Sequence, residues 1–404
     1  MIAAAPPVPT PRTEEPKIFL VAAEESGDRL GAALMHALRE RAAVPPRFFG
    51  LGGRDMTAAG LTSLLPIDDF SIIGVASIPR RLPLILHHIY RTVRAIVSMR
   101  PQALVLIDSP DFTQWIAKFV RRLDPSIPIV QYVSPSVWAW RPGRARSMRG
   151  VVDHVLALLP FEPEVHRKLG GPPCSYVGHP LIEQVDKLRP SATEAQRRRA
   201  DPPIVLAMPG SRSSEVRLHA DVFGEALALL QRRVGPIEVV IPTAPHLLPL
   251  VKRVTAGWEI RPRIVADPAE KQAAMRSARV ALAKSGTTTL ELAVAGIPTV
   301  AAYRVSPIEA LIAVGMVRVP TFILANLVIG ESVVPEVFQW ACTGARLAEV
   351  LVPLMSDTPE RKRQMDAFAR LDAIMEVGAQ PPASRAANIV LDLMKQHSAA
   401  AGGR

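Results

Sequence analysis

Cysteine is almost missing from this chain of 404 residues. Only Cys174 and Cys342 occur, far apart and in no metal-ligand spacing, which excludes a disulfide framework and points to a reducing compartment. The usual nucleotide fingerprint is missing too. No Gly-x-Gly-x-x-Gly follows the first apolar strand; Ala22-Ala23-Glu24-Glu25-Ser26-Gly27-Asp28 stands there instead, and its carboxylates would repel a dinucleotide phosphate. No Asp-x-Asp element of the metal-dependent sugar-nucleotide kind occurs, Asp108 and Asp111 being the nearest pair, so neither metal nor cofactor is expected. A net charge of +11 comes without any compact Lys/Arg run interleaved with aromatics. That argues against nucleic acid and leaves a membrane surface or a phosphorylated substrate as the anionic partner. The start lacks a basic-then-apolar leader, and residues 1–16, rich in Ala and Pro, read as a disordered arm. The most apolar stretch, Val305 to Gly330, is broken by Glu309, Arg318 and Pro320, which suits core and interface rather than a membrane span. There is no short internal repeat.

Short apolar runs alternating with helical patterns predict an α/β fold of parallel sheets wrapped by helices. The first series of strands is Lys17–Ala22, Arg47–Leu51, Ala103–Asp108, Ile127–Val133 and His154–Leu159. The second is Ile204–Met208, Ile237–Ile241, Glu259–Val265, Val280–Ala283 and Thr299–Tyr303. Between them a polar, Arg-rich stretch ends in Pro202-Pro203. The expected organisation is two doubly wound, Rossmann-like domains facing a cleft, 17–182 and 203–357, joined by a linker, 183–202, and followed by C-terminal helices and tail, 358–404. Ligands belong at the carboxyl ends of such strands.

Two turns there suit a nucleotide diphosphate. Ser285-Gly286-Thr287-Thr288-Thr289-Leu290-Glu291 leads from an apolar strand into a helix. A small hydroxyl-bearing turn leaves free N–H groups at a positive helix end, and Glu291, about one turn on, suits a ribose diol. Pro209-Gly210-Ser211-Arg212 repeats the arrangement, with the planar guanidinium of Arg212 matched to phosphate oxygens. The plainer readings are an ordinary αβ turn for the first, and a Ser213 N-cap with a surface Arg212 for the second. Two such turns in one domain favour the diphosphate. Opposite them, Glu24 and Asp28 suit sugar hydroxyls, with helix capping by Ser26 and Asp28 as the alternative. Asp108, ending an apolar strand at the cleft, is placed for general-base work; a turn or cap is its alternative, as for Asp111. His179 in Gly178-His179-Pro180 reads as a hinge, cleft or merely structural residue. The segment Ile72 to Ile96 mixes apolar and basic residues, as a membrane-surface helix or an ordinary packed amphipathic helix would.

From about Phe19 to the C-terminal helices these segments resemble the lipid-A-disaccharide synthase family. The most specific is Tyr132-Val133-Ser134-Pro135-Ser136-Val137-Trp138-Ala139-Trp140-Arg141. Ile107-Asp108-Ser109-Pro110-Asp111-Phe112, Leu159-Pro160-Phe161-Glu162, Val177-Gly178-His179-Pro180, Pro209-Gly210-Ser211-Arg212 and Ser285-Gly286-Thr287 support it in order. The resemblance implies the two-domain GT-B fold of metal-independent glycosyltransferases, with UDP on the second domain and the lipid acceptor on the first. It implies inverting transfer from UDP-2,3-diacylglucosamine to 2,3-diacylglucosamine 1-phosphate, giving a β-1,6-linked disaccharide 1-phosphate and UDP. Asp108 matches the family's candidate base. Glu24, Ser26, Gly27 and Asp28 match its first-strand motif and are expected on the acceptor side; Gly210, Ser211, Arg212, Ser285, Gly286, Thr287, Glu291 and Asn326 are expected on the donor side. It further implies a cytoplasmic protein, peripheral on the inner face of the inner membrane, and leaves an oligomer open. Two positions depart from the pattern: Ala23 replaces a glycine, and Gly330 is followed by Glu331 where the family often has arginine, while Pro335, Glu336 and Gln339 still fit. Another UDP-sugar transferase or epimerase of the same fold is the rival enzyme; a non-catalytic nucleotide-binding membrane adaptor is the rival from another class.

Overall fold

The computed structural model describes residues 15–64, 78–305, 321–376 and 380–402. Its strands are β1 (Lys17–Ala22), β2 (Arg47–Leu51), β3 (Leu61–Ser63), β4 (Ala103–Ile107), β5 (Ile129–Tyr132), β6 (His154–Ala157), β7 (Cys174–Tyr176), β8 (Ile204–Met208), β9 (Glu238–Pro242), β10 (Arg263–Val265), β11 (Val280–Lys284), β12 (Thr299–Tyr303) and β13 (Glu336–Phe338). The helices that frame the site are α1 (Glu25–Arg41), α2 (Arg54–Ala58), α3 (Ile78–Met99), α4 (Pro110–Leu123), α5 (Ser213–Val234), α6 (Thr287–Val294), α7 (Leu324–Ile329) and α8 (Pro382–Gly402).

Two parallel sheets result. One is seven-stranded in the order β3-β2-β1-β4-β5-β6-β7, the other six-stranded in the order β10-β9-β8-β11-β12-β13. Each is covered on both faces, which is why the central strands are continuous apolar runs rather than alternating ones. In β1, Ile18, Leu20 and Ala22 join one core and Phe19 and Val21 the other. All are fully buried, and burying the larger of these, Ile18, Phe19, Leu20 and Val21, stabilises by roughly 1.5–3 kcal/mol each. In both sheets the strand order reverses direction once, between β1 and β4 and between β8 and β11. A doubly wound sheet opens a crevice at that point.

Three differences from the sequence-based expectation have physical causes. The strands β3, β7 and β13 are three residues long and lie at sheet edges, too short to show a pattern. The stretch 183–202 is folded rather than an open linker. It contains a capped helix, Ala192–Arg199, and the Arg198 guanidinium donates to the carbonyls of Arg276, Ala295 and Gly296, tying it to the second domain. The C-terminal α8 leaves the second domain and packs on α1, placing Ala386, Ala387 and Val390 in the core of the first.

Residues 306–320, and with them most of the apolar stretch from Val305, lie outside the described residues, as do residues 1–14 of the expected N-terminal arm. In α3, Ile89, Val93 and Ile96 are buried against the first sheet, so this part is an ordinary packed amphipathic helix. Its other face differs: Leu84, Leu86 and Tyr90 are 46%, 52% and 59% exposed. Among the described residues no helix is long and apolar enough to cross a membrane.

Candidate active site

The crevice of the first sheet brings together Glu24, Ser26, Asp108 and Ser109. Asp108 and Ser109 follow β4 with φ of 55° and 43°, a left-handed kink that non-glycine residues adopt at a cost, and Val133 does the same after β5 with φ of 72°. The kink is braced. The Asp108 N–H donates to the carbonyl of Tyr132 at 3.0 Å, and the Thr113 hydroxyl to the carbonyl of Asp108 at 3.0 Å. Its half-buried carboxylate accepts the N–H of Ser109 at 2.8 Å, and the Ser109 hydroxyl donates to Glu24 at 3.2 Å. Burial pushes the Asp108 carboxyl above its ordinary value, and the charge of Glu24 pushes the same way; hydrogen bonds from Ser109 and Ser26 and the charge of Arg212 oppose them. Arg212 stands in the turn after β8, on the side of the second sheet.

Two residues expected on the acceptor side turn away from it. Asp28 is 3% exposed, and its carboxylate accepts the N–H groups of Gly53, Asp55 and Met56 at 2.6, 2.8 and 3.1 Å. It caps α2 from outside, which corrects its assignment to sugar hydroxyls and extends the capping alternative to a neighbouring helix. Gly27 is buried against the sheet, where an added Cβ would meet Ala22 and Ile107 at 3.4 and 3.5 Å. Asp28→Ala is expected to lower stability by about 0.5–2 kcal/mol in denaturant unfolding, as loss of a cap does, without altering nucleotide binding.

Across the cleft the ends of β8, β9 and β11 surround a cavity of about 490 Å³. Gly210, Ser211 and Arg212 line it from one turn, and Gly286, Thr287 and Glu291 from the other. Glu291 is half-buried, and burial raises its pKa; among the described residues no side-chain donor meets its carboxylate. A partly buried carboxylate left open to a cavity is costly unless a ligand donates to it. Ser285 does not line the cavity. It is 5% exposed, with its N–H on the carbonyl of Ala302 at 2.9 Å and its hydroxyl on that of Phe322 at 3.4 Å, so the turn presents Gly286, Thr287 and Thr288 instead.

Asn326, expected on the donor side, is 1% exposed in α7 and all its hydrogen-bonding groups are taken within the protein. Its amide donates to the Val334 carbonyl at 2.9 Å and the Thr321 hydroxyl at 3.3 Å; its oxygen accepts the N–H groups of Val333 and Val334 at 3.0 and 2.8 Å. It braces the loop that leads to β13. Glu331, at the position of the family's arginine, pairs with Arg370 at 2.8 Å. His179 accepts the N–H of Leu181 at 3.1 Å, and burial lowers its pKa to about 4, which fits the structural reading.

Residue-by-residue reasoning missed several of the cavity's walls. Lys284, a lone lysine ending an apolar strand, was a legible signal. Thr243, Lys271 and Gln272 carried none, since they sit on segments recognisable only as strand ends and a helix. Glu215, just beyond the Pro209 turn, carried none either. Its carboxylate accepts the N–H groups of Ser211 and Arg212 at 2.9 and 3.3 Å and Lys284 at 2.9 Å. Burial raises its pKa, but Lys284 and the two N–H groups outweigh burial and hold the carboxyl below its ordinary value.

Comparison with known proteins covers nearly the whole chain. A family model described as lipid-A-disaccharide synthetase matches residues 18–390. A lipid-A-disaccharide synthase of Nitrobacter hamburgensis is 57% identical over 94% of this chain and 96% of its own length. One from Bradyrhizobium diazoefficiens is 55% identical over 95% of this chain and 98% of its own. Among solved structures, a UDP-GlcNAc 2-epimerase from Neisseria meningitidis, bound to UDP-GlcNAc, superposes with a TM-score of 0.58 at 11% identity, covering 94% of this chain and 99% of its own. That likeness shows the same two-domain fold and does not decide the chemistry.

Proposed function

The chain belongs to the lipid-A-disaccharide synthase family, and from that premise we propose how its two cleft walls divide the reaction. The activity is glycosyl transfer, joining UDP-2,3-diacylglucosamine to 2,3-diacylglucosamine 1-phosphate and releasing UDP with the β-1,6-linked disaccharide 1-phosphate. Inversion at the donor carbon needs a base on the acceptor hydroxyl and relief of the charge that develops on departing UDP. Asp108 takes the proton. Its carboxyl, with a pKa raised by burial and by Glu24, is a better base than an exposed aspartate. Glu24 and Ser26 hold the acceptor sugar beside it. Arg212, with the N–H groups at the start of α5 and α6, meets the diphosphate, and Glu291 accepts the ribose diol.

What supports this assignment is that Gly210, Ser211, Arg212, Gly286, Thr287 and Glu291 line one cavity at the strand ends of the second sheet, while Asp108 stands just past β4 at the crevice of the first. The test is to incubate purified protein with the two acylated sugars and weigh the lipid product. A disaccharide 1-phosphate with stoichiometric UDP is expected. An epimerised donor, or no product, overturns the reading in favour of the epimerase or the adaptor.

Acylated substrates require the enzyme to work at a bilayer, and we place it on the cytoplasmic face of the inner membrane. The support is the exposed Leu84, Leu86 and Tyr90 of α3 beside exposed Arg91 and Arg94. Arg80 and Arg81, which the sequence singles out for the same role, lie outside the residues whose side chains are described. Basic residues at an anionic surface are worth about 1 kcal/mol each. Reversing Arg91 and Arg94 to Glu is therefore expected to weaken binding to anionic vesicles by about tenfold or more at low salt, read by co-sedimentation. Unchanged binding moves the lipid contact elsewhere.

A further inference from the structure

Glu215 sits where the turn after β8, the end of β11 and the first turn of α5 meet. One of its carboxylate oxygens accepts the N–H groups of Ser211 and Arg212, and the other accepts the Lys284 ammonium at 2.9 Å. The turn closes directly over it: Gly210 has φ +141°, and an added Cβ would lie 2.4 Å from the Cβ of Glu215. One helical turn on, the buried His219 places Nδ1 2.8 Å from the carbonyl oxygen of Glu215. That contact requires the proton on Nδ1, so Nε2 accepts the N–H of Arg304 at 3.0 Å, just beyond β12. The first two turns of α5 thus tie together the ends of β8, β11 and β12.

An ion pair of this kind is a poor device for stability. Lys284 and Glu215 have side chains only 20% and 16% exposed, and desolvating two charges offsets most of what their attraction returns. Its location explains it better. Lys284, Arg212 and Glu215 line the same cavity, and the Lys284 ammonium also lies 5.6 Å from the Tyr303 ring. Without Glu215 the flexible lysine and the exposed arginine would have no fixed spacing.

We propose that Glu215 is a positioning residue for the donor. By gripping the Ser211–Arg212 turn with one oxygen and Lys284 with the other, it sets the distance between two cations that together receive the diphosphate. The inference rests on the cavity being the donor site. It also assigns the backbone differently: the N–H groups of Ser211 and Arg212 serve Glu215, and those at the start of α5, from Ser213 onward, remain for phosphate.

Glu215→Gln tests this, because it keeps the shape and an oxygen for the turn while removing the charge that holds Lys284. By calorimetry its affinity for UDP is expected to fall about tenfold, and that for uridine, which carries no phosphate, to stay within about twofold. Lys284→Met is expected to behave alike, and the double variant to be no weaker than the worse single one, since the pair acts as a unit. The inference is overturned if Glu215→Gln binds UDP like the wild type, if uridine affinity falls in parallel, or if the two effects add. A wild-type UDP affinity that ignores Arg212→Ala would instead overturn the donor-site reading beneath it, so the two failures are distinguishable.

Discussion

Asp108→Asn is expected to lower turnover by about 10²–10⁴ while UDP binding persists, because the amide keeps the shape of the carboxylate but cannot take a proton. The pH profile gives an independent check. The base works ionised, and burial followed by the charge of Glu24 raises its pKa above 3.8. Activity is therefore present at higher pH and lost as pH falls through that raised value, giving an acidic limb displaced upward from the usual carboxylate range. Glu24→Gln removes one of the two raising causes, so the limb should move to lower pH; Asp108→Asn should erase it. Chelator is expected to leave wild-type turnover unchanged. An Asp108→Asn enzyme within a few-fold of wild type would transfer the proton-accepting role to another group, Glu24 first.

Arg212→Ala is expected to weaken UDP binding by roughly 1.5–3 kcal/mol, which is about tenfold to 150-fold in dissociation constant. The guanidinium is exposed at the mouth of the cavity, and among the described residues no carboxylate pairs with it, so its charge is available to a ligand. Glu291→Gln should act on the other end of the nucleotide. It removes an acceptor for the ribose diol, so UDP affinity falls, while inorganic pyrophosphate, which has no ribose, binds as before. Calorimetry with both ligands separates the two sites. Unchanged UDP affinity in both variants would move the donor out of this cavity.

These expectations show where residue reasoning succeeds in this chain. The buried strands β1, β4, β8, β11 and β12 were legible because apolar residues covered on both faces leave no ambiguity of side. Asp108, just past β4, and Arg212, in the turn after β8, could be placed at the crevices because turns at the carboxyl ends of parallel strands open onto them. Asp28, Ser285 and Asn326 were misplaced for the opposite reason. Each is a small polar residue beside a site, and its direction depends on which unmatched backbone groups lie within reach: the α2 N-terminus for Asp28, the Phe322 carbonyl for Ser285, the Val333–Val334 loop for Asn326. Lys284 and Glu215 meet only through the pairing of β8 with β11, which brings together residues some seventy positions apart. Nothing local encodes that.

The return of α8 to the first domain changes how this protein must be made. Synthesis runs from the amino end, and domains generally fold as they emerge. Here the first domain cannot finish early, because Ala386, Ala387 and Val390 fill its core beside α1 and follow the whole second sheet in the chain. Until then its apolar flank stays bare while the entire second domain is assembled downstream. The first domain is complete only after the residues of the second sheet have been made, so its maturation is bound to that of its partner, and no single cut of the gene yields both halves whole.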